Sequence, residues 1–184
     1  MSLNLAHYLE IAATEHAAKT AVRLDDFEMT YSELAAMARR VSRLLRDKGI
    51  ERGDKVAIMA PNIPQFTAIY FGILHAGATV VPVNNLLKSH EIAYYLEDSD
   101  ALAFFAWKGF YDEAVKGFNS VYTCRTMYTV HEPGDMEELP DARNLNVVLD
   151  NAPDDADVDQ TMPDDTAVLL YTSGTTGHPK GAEL

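Results

Sequence analysis

The sequence predicts an α/β fold in which a mostly parallel sheet is flanked by helices. Short apolar runs such as Lys55–Met59 and Ala101–Ala106 have the length and residue content of buried strands. Longer segments with apolar residues at helical spacing alternate with these runs, and Gly49 and Gly77 stand where such segments end. Strands that alternate with helices need crossover connections, which are right-handed and make neighbouring strands parallel.

The N-terminal region is predicted to form a helix over residues 3–18 and then a hairpin around Asp25–Asp26. Apolar residues recur at helical spacing in the first segment, and strand-like runs flank the two aspartates. Thr30 and Glu33 form a capping box, in which each side chain satisfies a backbone N–H of the other residue. The helix that begins there is predicted to end at Gly49, because glycine suits the left-handed conformation beyond a helix end.

Strands and helices alternate through the rest of the chain. We predict strands at residues 55–59, 78–83, 101–106, 121–130, 146–149 and 167–171. We predict helices at residues 64–76, 89–96 and 110–118, with Ser89 as the N-cap of the second. Residues 131–144 are polar and contain two prolines and a glycine, so they are predicted to form a loop.

A loop at residues 171–182 has the chemistry of a polyphosphate site, and a buried strand is predicted to lead into it. Its glycines allow the backbone to approach an anion, and its hydroxyls donate hydrogen bonds. Lys180 either neutralises phosphate charge or anchors the loop. The loop is not a Walker A motif, because Pro179 precedes the lysine and Gly181 follows it. The residues that we assign to nucleotide-phosphate binding are Thr172, Ser173, Gly174, Thr175, Thr176, Gly177 and Lys180.

These residues, from Tyr171 to Ala182, resemble the signature loop of the adenylate-forming enzymes, which include acyl-CoA synthetases, firefly luciferase and peptide-synthetase adenylation domains. The resemblance extends from about Thr30 to Leu184 and is less clear over residues 108–160. Residues 61–64 and 84–88 are most similar to fatty-acyl and aryl CoA ligases, although many such ligases have proline where Asn85 stands. The matching blocks upstream of the loop are 30–34, 49–58, 61–66, 72–77, 81–83 and 91–99.

The resemblance implies a two-step reaction for the intact enzyme. A fatty acid or other carboxylic acid attacks the α-phosphate of ATP in the presence of Mg²⁺, pyrophosphate leaves, and the acyl group passes from AMP to the thiol of coenzyme A. In such enzymes the loop binds the β- and γ-phosphates. The adenine and ribose sites and a C-terminal domain with a catalytic lysine follow this loop. We therefore interpret residues 1–184 as the N-terminal portion of the AMP-binding large domain, without the C-terminal domain or any catalytic residue, and expect this fragment to be inactive.

Composition restricts the partners and the compartment. The formal net charge of −13 disfavours nucleic acid as a partner. The sequence has no long apolar run that could span a membrane and no signal peptide, which leaves peripheral membrane contact open. Cys124 is the one cysteine, so no internal disulfide forms and a cytoplasmic setting is favoured. A sheet with an uncovered edge would favour a homodimer.

Residues 150–165 form an acidic segment. A metal site and a solvated linker are alternative interpretations, and we favour the linker because the segment has no glycine-containing ligand loop. We therefore predict no metal site. The aspartates of this segment are Asp150, Asp154, Asp155, Asp157, Asp159, Asp164 and Asp165.

Other functional classes also fit the sequence. A non-catalytic binding or assembly module could keep the first part of the fold, and a stable complex with an unrelated protein would favour it. An aryl-CoA ligase or an acyl-AMP ligase is another alternative, because the resemblance places most specificity residues beyond Leu184. Acyl-CoA formation by the chain alone would contradict the expectation that this fragment is inactive.

Overall fold

The computed structural model of the chain describes residues 4–172 and 179–184, and these residues group into two compact units. The first unit comprises the described residues up to Gly53 together with Asn62–Ala78 and Asn151–Asp165. The second unit comprises Asp54–Pro61, Thr79–Asp150 and the described part of residues 166–184.

The first unit is built from helices and a hairpin. Its helices are α1 (Ala6–Glu15), α2 (Tyr31–Asp47) and α3 (Pro64–His75), and its antiparallel strands are β1 (Thr20–Leu24) and β2 (Phe27–Thr30). The predicted capping box is confirmed, since Thr30 Oγ1 accepts from the Glu33 N–H at 3.3 Å and Glu33 Oε2 accepts from the Thr30 N–H at 2.8 Å. Gly49 has a φ of +79° directly after the helix end, as predicted.

Helices α2 and α3 pack closely at Gly72. A Cβ atom at this glycine would lie 2.6 Å from Val41 Cβ, 2.7 Å from Val41 Cγ1 and 2.8 Å from the Ala38 carbonyl oxygen. Because ordinary carbon contacts are about 3.5–4.0 Å, no side chain fits at residue 72 while the helices keep this separation. The glycine therefore permits the close approach of two helices within the first unit.

The acidic segment has no regular secondary structure and lies along arginines of the first unit. Arg39 Nε donates to the Asp154 carbonyl at 2.8 Å, and Arg46 Nη2 donates to the Asp157 carbonyl at 2.8 Å. Because residues 39 and 46 are seven positions apart on α2, they project from one face of the helix. These hydrogen bonds fix the backbone of the segment, while Asp154 and Asp157 themselves remain exposed.

Within the described residues, the second unit contains a five-stranded parallel sheet in the order β4-β3-β5-β6-β7, which confirms the predicted fold class. Phe104 and Met127, neighbours across β5 and β6, face the same apolar cluster as Ile92 and Leu96 of α4. The strands are β3 (Lys55–Met59), β4 (Thr79–Pro82), β5 (Ala101–Trp107), β6 (Thr126–Val130) and β7 (Arg143–Asn144). The helices are α4 (Ser89–Asp98), α5 (Tyr111–Phe118) and α6 (Leu145–Leu149), and a 3₁₀ turn spans Lys108–Phe110.

The structure corrects several local predictions in the second unit, and residues 143–144 of the predicted loop form β7. Residues 121–125 are not part of a strand, because the pairing of β6 with β5 begins at Thr126. Residues 145–149 form α6 and not a strand, since the Asn144 side chain caps this segment by accepting from the Asn146 N–H at 2.8 Å. Ser89 is the first residue of α4 and not its N-cap, and its N–H donates to Glu113 at 2.8 Å.

A polar cluster with a buried part and an exposed part follows β6. His131 lies 3.0 Å from Asp135 through Nδ1 and 3.0 Å from the Thr129 hydroxyl through Nε2. The Lys108 ammonium donates to Asp135 and, at 2.9 Å, to Glu132, and the hydrogen bond from Lys108 is the largest cause that lowers the pKa of Asp135. Thr129 and His131 are fully buried. The cluster therefore stabilises the turn after β6 and offers no hydroxyl that a substrate could reach.

Candidate functional site

The predicted phosphate loop lies in a hairpin of the second unit. The hairpin consists of β8 (Leu169–Thr172) and β9 (Lys180–Glu183), which pair antiparallel with Thr172 opposite Lys180. The two described residues of the predicted site therefore meet at the end of the hairpin where the loop leaves and returns. Ser173, Gly174, Thr175, Thr176 and Gly177, which complete the predicted site, lie outside the described residues.

The run that leads into the loop differs from the buried strand that the sequence predicts. Leu170 and Thr172 are exposed, and β9 is exposed along its whole length. Apolar content alone suggested burial, but this run pairs with a short exposed strand and lies outside the central ladder. The apolar side chains of β8 are therefore only partly covered by the described part of the second unit.

The start of the hairpin is joined to β4. Val80 donates its N–H to the Ala167 carbonyl at 2.9 Å, and Val80 and Val168 form an isolated parallel bridge. The Thr79 hydroxyl donates to the Thr166 carbonyl at 2.7 Å. These bonds fix the entry to β8 against an edge of the parallel sheet.

Helix α4 contacts both stems of the loop. The Tyr171 hydroxyl, before the glycine-rich segment at residues 173–178, donates to Asp98 Oδ2 at 2.6 Å. The Tyr94 hydroxyl donates to the carbonyl of Pro179, after that segment, at 3.0 Å. The rings of Tyr95 and Tyr171 lie with their centroids 4.3 Å apart. One helix therefore holds the backbone on both sides of the glycine-rich segment.

Burial and a neighbouring carboxylate keep Tyr171 neutral. Desolvation is the largest cause that raises the pKa of its phenol, and the hydrogen bond to Asp98 raises that pKa further. A phenol with a raised pKa remains a hydrogen-bond donor throughout the physiological pH range. The contact with Asp98 is therefore a neutral donor bonded to an acceptor, and it does not depend on a titration near pH 7.

A pocket of about 630 Å³ lies beside the stems in the second unit. Ala60 directly follows β3, and Val83 directly follows β4, so the pocket opens at the carboxyl ends of parallel strands. Ligands of open α/β sheets bind at this edge. The polar side chains in its lining include Asn84, Asn85 and Tyr171. The pocket can thus receive a ligand that combines polar groups with an apolar or planar part.

Lys180 is exposed at the first position of β9. Among the residues that the structure describes, no carboxylate forms an ion pair with its ammonium group. A cation next to a glycine and hydroxyl loop attracts phosphate oxygens. Exposure therefore leaves the charge of Lys180 accessible to a ligand.

The sequence alone does not single out Tyr94, Tyr95 or Asp98 as neighbours of the loop. The contacts of this helix with the hairpin join residues that are 73 and 85 positions apart. No local pattern reports such a contact. The one available signal is the presence of hydroxyl groups on two aromatic residues where phenylalanine would pack equally well.

Comparison with known proteins decides the family. The family model described as AMP-binding enzyme matches residues 9–184. The chain belongs to the AMP-binding enzyme family. This membership confirms the resemblance to adenylate-forming enzymes that the loop and the upstream blocks indicate.

Several curated relatives of this AMP-binding chain are named as CoA ligases. It is 32% identical over 157 residues to the long-chain-fatty-acid–CoA ligase FadD13 of Mycobacterium tuberculosis, covering 85% of this chain and 29% of the relative. It is 29% identical to the 3-oxocholest-4-en-26-oate–CoA ligase of Rhodococcus rhodochrous, covering 98% of this chain and 33% of the relative. The chain thus spans about a third of the length of these two curated relatives.

Solved structures agree with this AMP-binding fold. The anthranilate CoA ligase AuaEII, in complex with anthranoyl-AMP, superposes with a TM-score of 0.91 at 26% identity. That match covers 99% of this chain and 34% of AuaEII. None of the described helices combines the length and the apolar character that crossing a membrane requires.

Proposed function

We propose that this chain provides the phosphate-binding part of an acid–thiol ligase that activates a carboxylic acid with ATP and transfers it to coenzyme A. The observation that carries the proposal is the hairpin, which brings Thr172 and Lys180 together at the ends of a glycine and hydroxyl loop. Membership of the AMP-binding family supports this assignment.

In the proposed reaction the loop binds the β- and γ-phosphates of ATP. Hydroxyl and backbone N–H groups donate hydrogen bonds to the phosphate oxygens, and Lys180 balances part of their charge. Mg²⁺ supplies further charge neutralisation on the triphosphate when it is bound. The substrate carboxylate attacks the α-phosphorus, the bond to pyrophosphate breaks, and the coenzyme A thiol later displaces AMP from the acyl group.

A fatty acid is the substrate class that we favour. Two curated relatives, FadD13 and a protein of Bacillus subtilis, are named as long-chain-fatty-acid–CoA ligases. An aryl-CoA ligase is the second candidate, because the ligand of the AuaEII structure is an aryl adenylate. An acyl-AMP ligase shares the first half of the reaction and stays an alternative. We propose that the parent enzyme acts in the cytoplasm. We also propose that the chain forms a homodimer.

The 184-residue chain by itself is proposed to bind nucleotide phosphates without turning over substrate. During adenylation, charge develops on the reacting phosphate group, and groups on several sides of it must stabilise that charge. One loop supplies donors on one side only. A non-catalytic binding module is the alternative of a different class, and it also predicts no turnover. The two proposals differ in nucleotide binding. Affinity that depends on the phosphates of ATP favours the ligase part over the non-catalytic module.

The first experiment measures nucleotide binding by the full chain. Isothermal titration calorimetry with MgATP and with adenosine tests whether the phosphates carry the affinity. We expect Lys180→Met to weaken MgATP binding by at least about tenfold, since a charge-assisted hydrogen bond contributes about 1.5–3 kcal/mol. Lys116→Met removes an exposed lysine on α5 and provides the matched control. Equal affinity for MgATP and adenosine would contradict the proposal.

The second experiment tests the chemistry. A chimera in which this chain replaces the corresponding first part of FadD13 is assayed for fatty-acid-dependent exchange of pyrophosphate into ATP. Exchange that disappears on truncating the glycine-rich segment would support carboxylate activation. Exchange with aryl acids but not with fatty acids would move the substrate class to the second candidate. Acyl-CoA formation by the 184-residue chain alone would contradict its proposed inactivity.

A further inference from the structure

We propose that Tyr94, Tyr171 and Asp98 are positioning residues that hold Tyr171 and Pro179, on the two sides of residues 173–178, in place from helix α4. The inference rests on the proposed function, because it assigns these residues a role in triphosphate affinity. None of them is assigned to contact the nucleotide, and they act through the backbone stems of the loop. We call these three residues the stem clamp.

The stem clamp holds the chain on both sides of the glycine-rich segment. Tyr171 precedes residues 173–178 and donates to Asp98 at 2.6 Å, whereas Pro179 follows them and accepts from Tyr94 at 3.0 Å. Both bonds reach the same helix within one turn, since residues 94 and 98 are four positions apart. The separation and direction of the two stems are therefore fixed relative to α4.

Helix α4 is itself fixed to the sheet. Ile92 and Leu96 are fully buried, and both belong to the apolar cluster that includes residues of β3 and β5. The buried Ser99 hydroxyl donates to the Tyr95 carbonyl at 2.6 Å and satisfies the last turn of the helix. The stem clamp therefore attaches a largely exposed hairpin to a helix that packs firmly on the parallel sheet.

The charge of Asp98 argues for a positioning role. A carboxylate close to a triphosphate would repel it, so Asp98 is unsuited to bind the ligand directly. Its oxygen instead accepts from the Tyr171 phenol, and that phenol stays protonated because burial, and secondarily Asp98, raise its pKa. A neutral donor thus connects the carboxylate to the stem.

Core packing alone does not account for these hydroxyl groups. The Tyr95 and Tyr171 rings contact each other with their centroids 4.3 Å apart, and that contact would survive if the hydroxyl of Tyr171 were absent. The hydroxyls of Tyr94 and Tyr171 each reach across more than seventy positions to bond with a partner. Replacing tyrosine with phenylalanine therefore removes the clamp and keeps the packing.

The test measures MgATP and inorganic tripolyphosphate binding by the full chain, together with urea unfolding. We expect Tyr94→Phe and Tyr171→Phe each to weaken both ligands by about three- to tenfold, which corresponds to the loss of one ordinary hydrogen bond. Tyr111→Phe is the matched control, because the Tyr111 hydroxyl donates to the Pro140 carbonyl in another part of the second unit. It should lower stability to a similar extent and leave both affinities unchanged.

Asp98 variants separate positioning from general destabilisation. Asp98→Asn keeps a side-chain oxygen that accepts from Tyr171, so we expect near-normal affinity. Asp98→Ala has no acceptor for Tyr171 and also loses a hydrogen bond with Tyr94, so its affinity should fall at least as far as in Tyr171→Phe. Combining Asp98→Ala with Tyr171→Phe should lower the affinity by less than the sum of the two single changes, since both remove the bond between Tyr171 and Asp98.

Three outcomes are decisive. Weaker binding in the phenylalanine variants, normal binding in Tyr111→Phe and rescue by Asp98→Asn would support the stem clamp. Normal binding in Tyr94→Phe and Tyr171→Phe would overturn it and leave the proposed function standing. If the wild-type chain bound neither ligand and the chimera showed no pyrophosphate exchange, the proposed function would fail and the stem clamp with it.

Discussion

Gly72 offers the sharpest test of the packing in the first unit. Glycine in a helix interior ordinarily costs about 1 kcal/mol relative to alanine, so Gly72→Ala should stabilise an uncrowded helix. Here the added Cβ would lie 2.6 Å from Val41 Cβ and 2.8 Å from the Ala38 carbonyl oxygen. Both atoms belong to α2 and cannot move by a rotamer change. The substitution should therefore destabilise the chain.

The size of the loss follows from the overlap. The 2.6 Å separation is about 1 Å shorter than ordinary carbon contact. Overpacking of this kind costs about 1–3 kcal/mol, and we take the upper end because a backbone oxygen is involved. After the gain in helix propensity of about 1 kcal/mol, the net loss is about 2 kcal/mol. For a chain of this size, that corresponds to a fall in Tm of about 4–8 °C.

Urea unfolding of Gly72→Ala and wild type measures this difference directly. Gly109→Ala is the control, because its Cβ would meet the Trp107 ring at 2.9 Å, and a side chain can turn aside. We expect the control to change the unfolding free energy by less than about 1 kcal/mol. A Gly72→Ala variant as stable as wild type, or more stable, would refute the close approach of α2 and α3.

Three further predictions concern a cap, a thiol and a carboxylate. Thr30→Ala should lower the unfolding free energy by about 1 kcal/mol in urea, because it removes half of the capping box. Cys124 should resist thiol reagents in the native chain and react on unfolding, since burial raises the pKa of its thiol to about 12. Asp135→Asn should make the unfolding free energy fall less steeply as the pH is lowered. The folded-state pKa of Asp135 is lowered, so its contribution is present above the unfolded pKa of about 3.9 and is lost as pH falls through the folded value.

Each of these predictions has a control. Thr30→Ser keeps a capping hydroxyl and should retain most of the stability, whereas unchanged stability in Thr30→Ala would argue against the cap. Rapid labelling of Cys124 without urea would mean that its surroundings open easily. For the carboxylate, Lys108→Met removes the principal donor and should reproduce the flatter acid profile. If the stability of Asp135→Asn depended on pH in the same way as that of wild type, Asp135 would not contribute to the loss of stability in acid.

Predictions from local chemistry agree with the structure where a helix or strand is defined by its own residues. The Thr30 and Glu33 pair marks the beginning of α2, and Gly49 marks its end, because caps and left-handed glycines act within one turn. The apolar run at 55–59 is a strand with the predicted bounds. In these segments the tertiary structure reinforces the local preference.

Predictions were wrong where strand pairing or a neighbouring cap decides the structure. Residues 121–125 look like a continuation of β6, yet the ladder with β5 begins at Thr126. The short apolar run at 146–149 is equally compatible with strand and helix, and the Asn144 cap selects the helix. Strand β9 was missed because a sequence with a central glycine has low strand propensity, and only its pairing with β8 makes it extended.

The described attachments of the phosphate-loop hairpin have a consequence for biosynthesis. Its anchors on the rest of the second unit, at Thr79, Val80, Tyr94 and Asp98, are all translated before Tyr171. The N-terminal part of a chain leaves the ribosome first and is available to fold before the rest is made. The part of the second unit that anchors the loop can thus fold first. The phosphate loop is made later, when its anchoring residues are already in place.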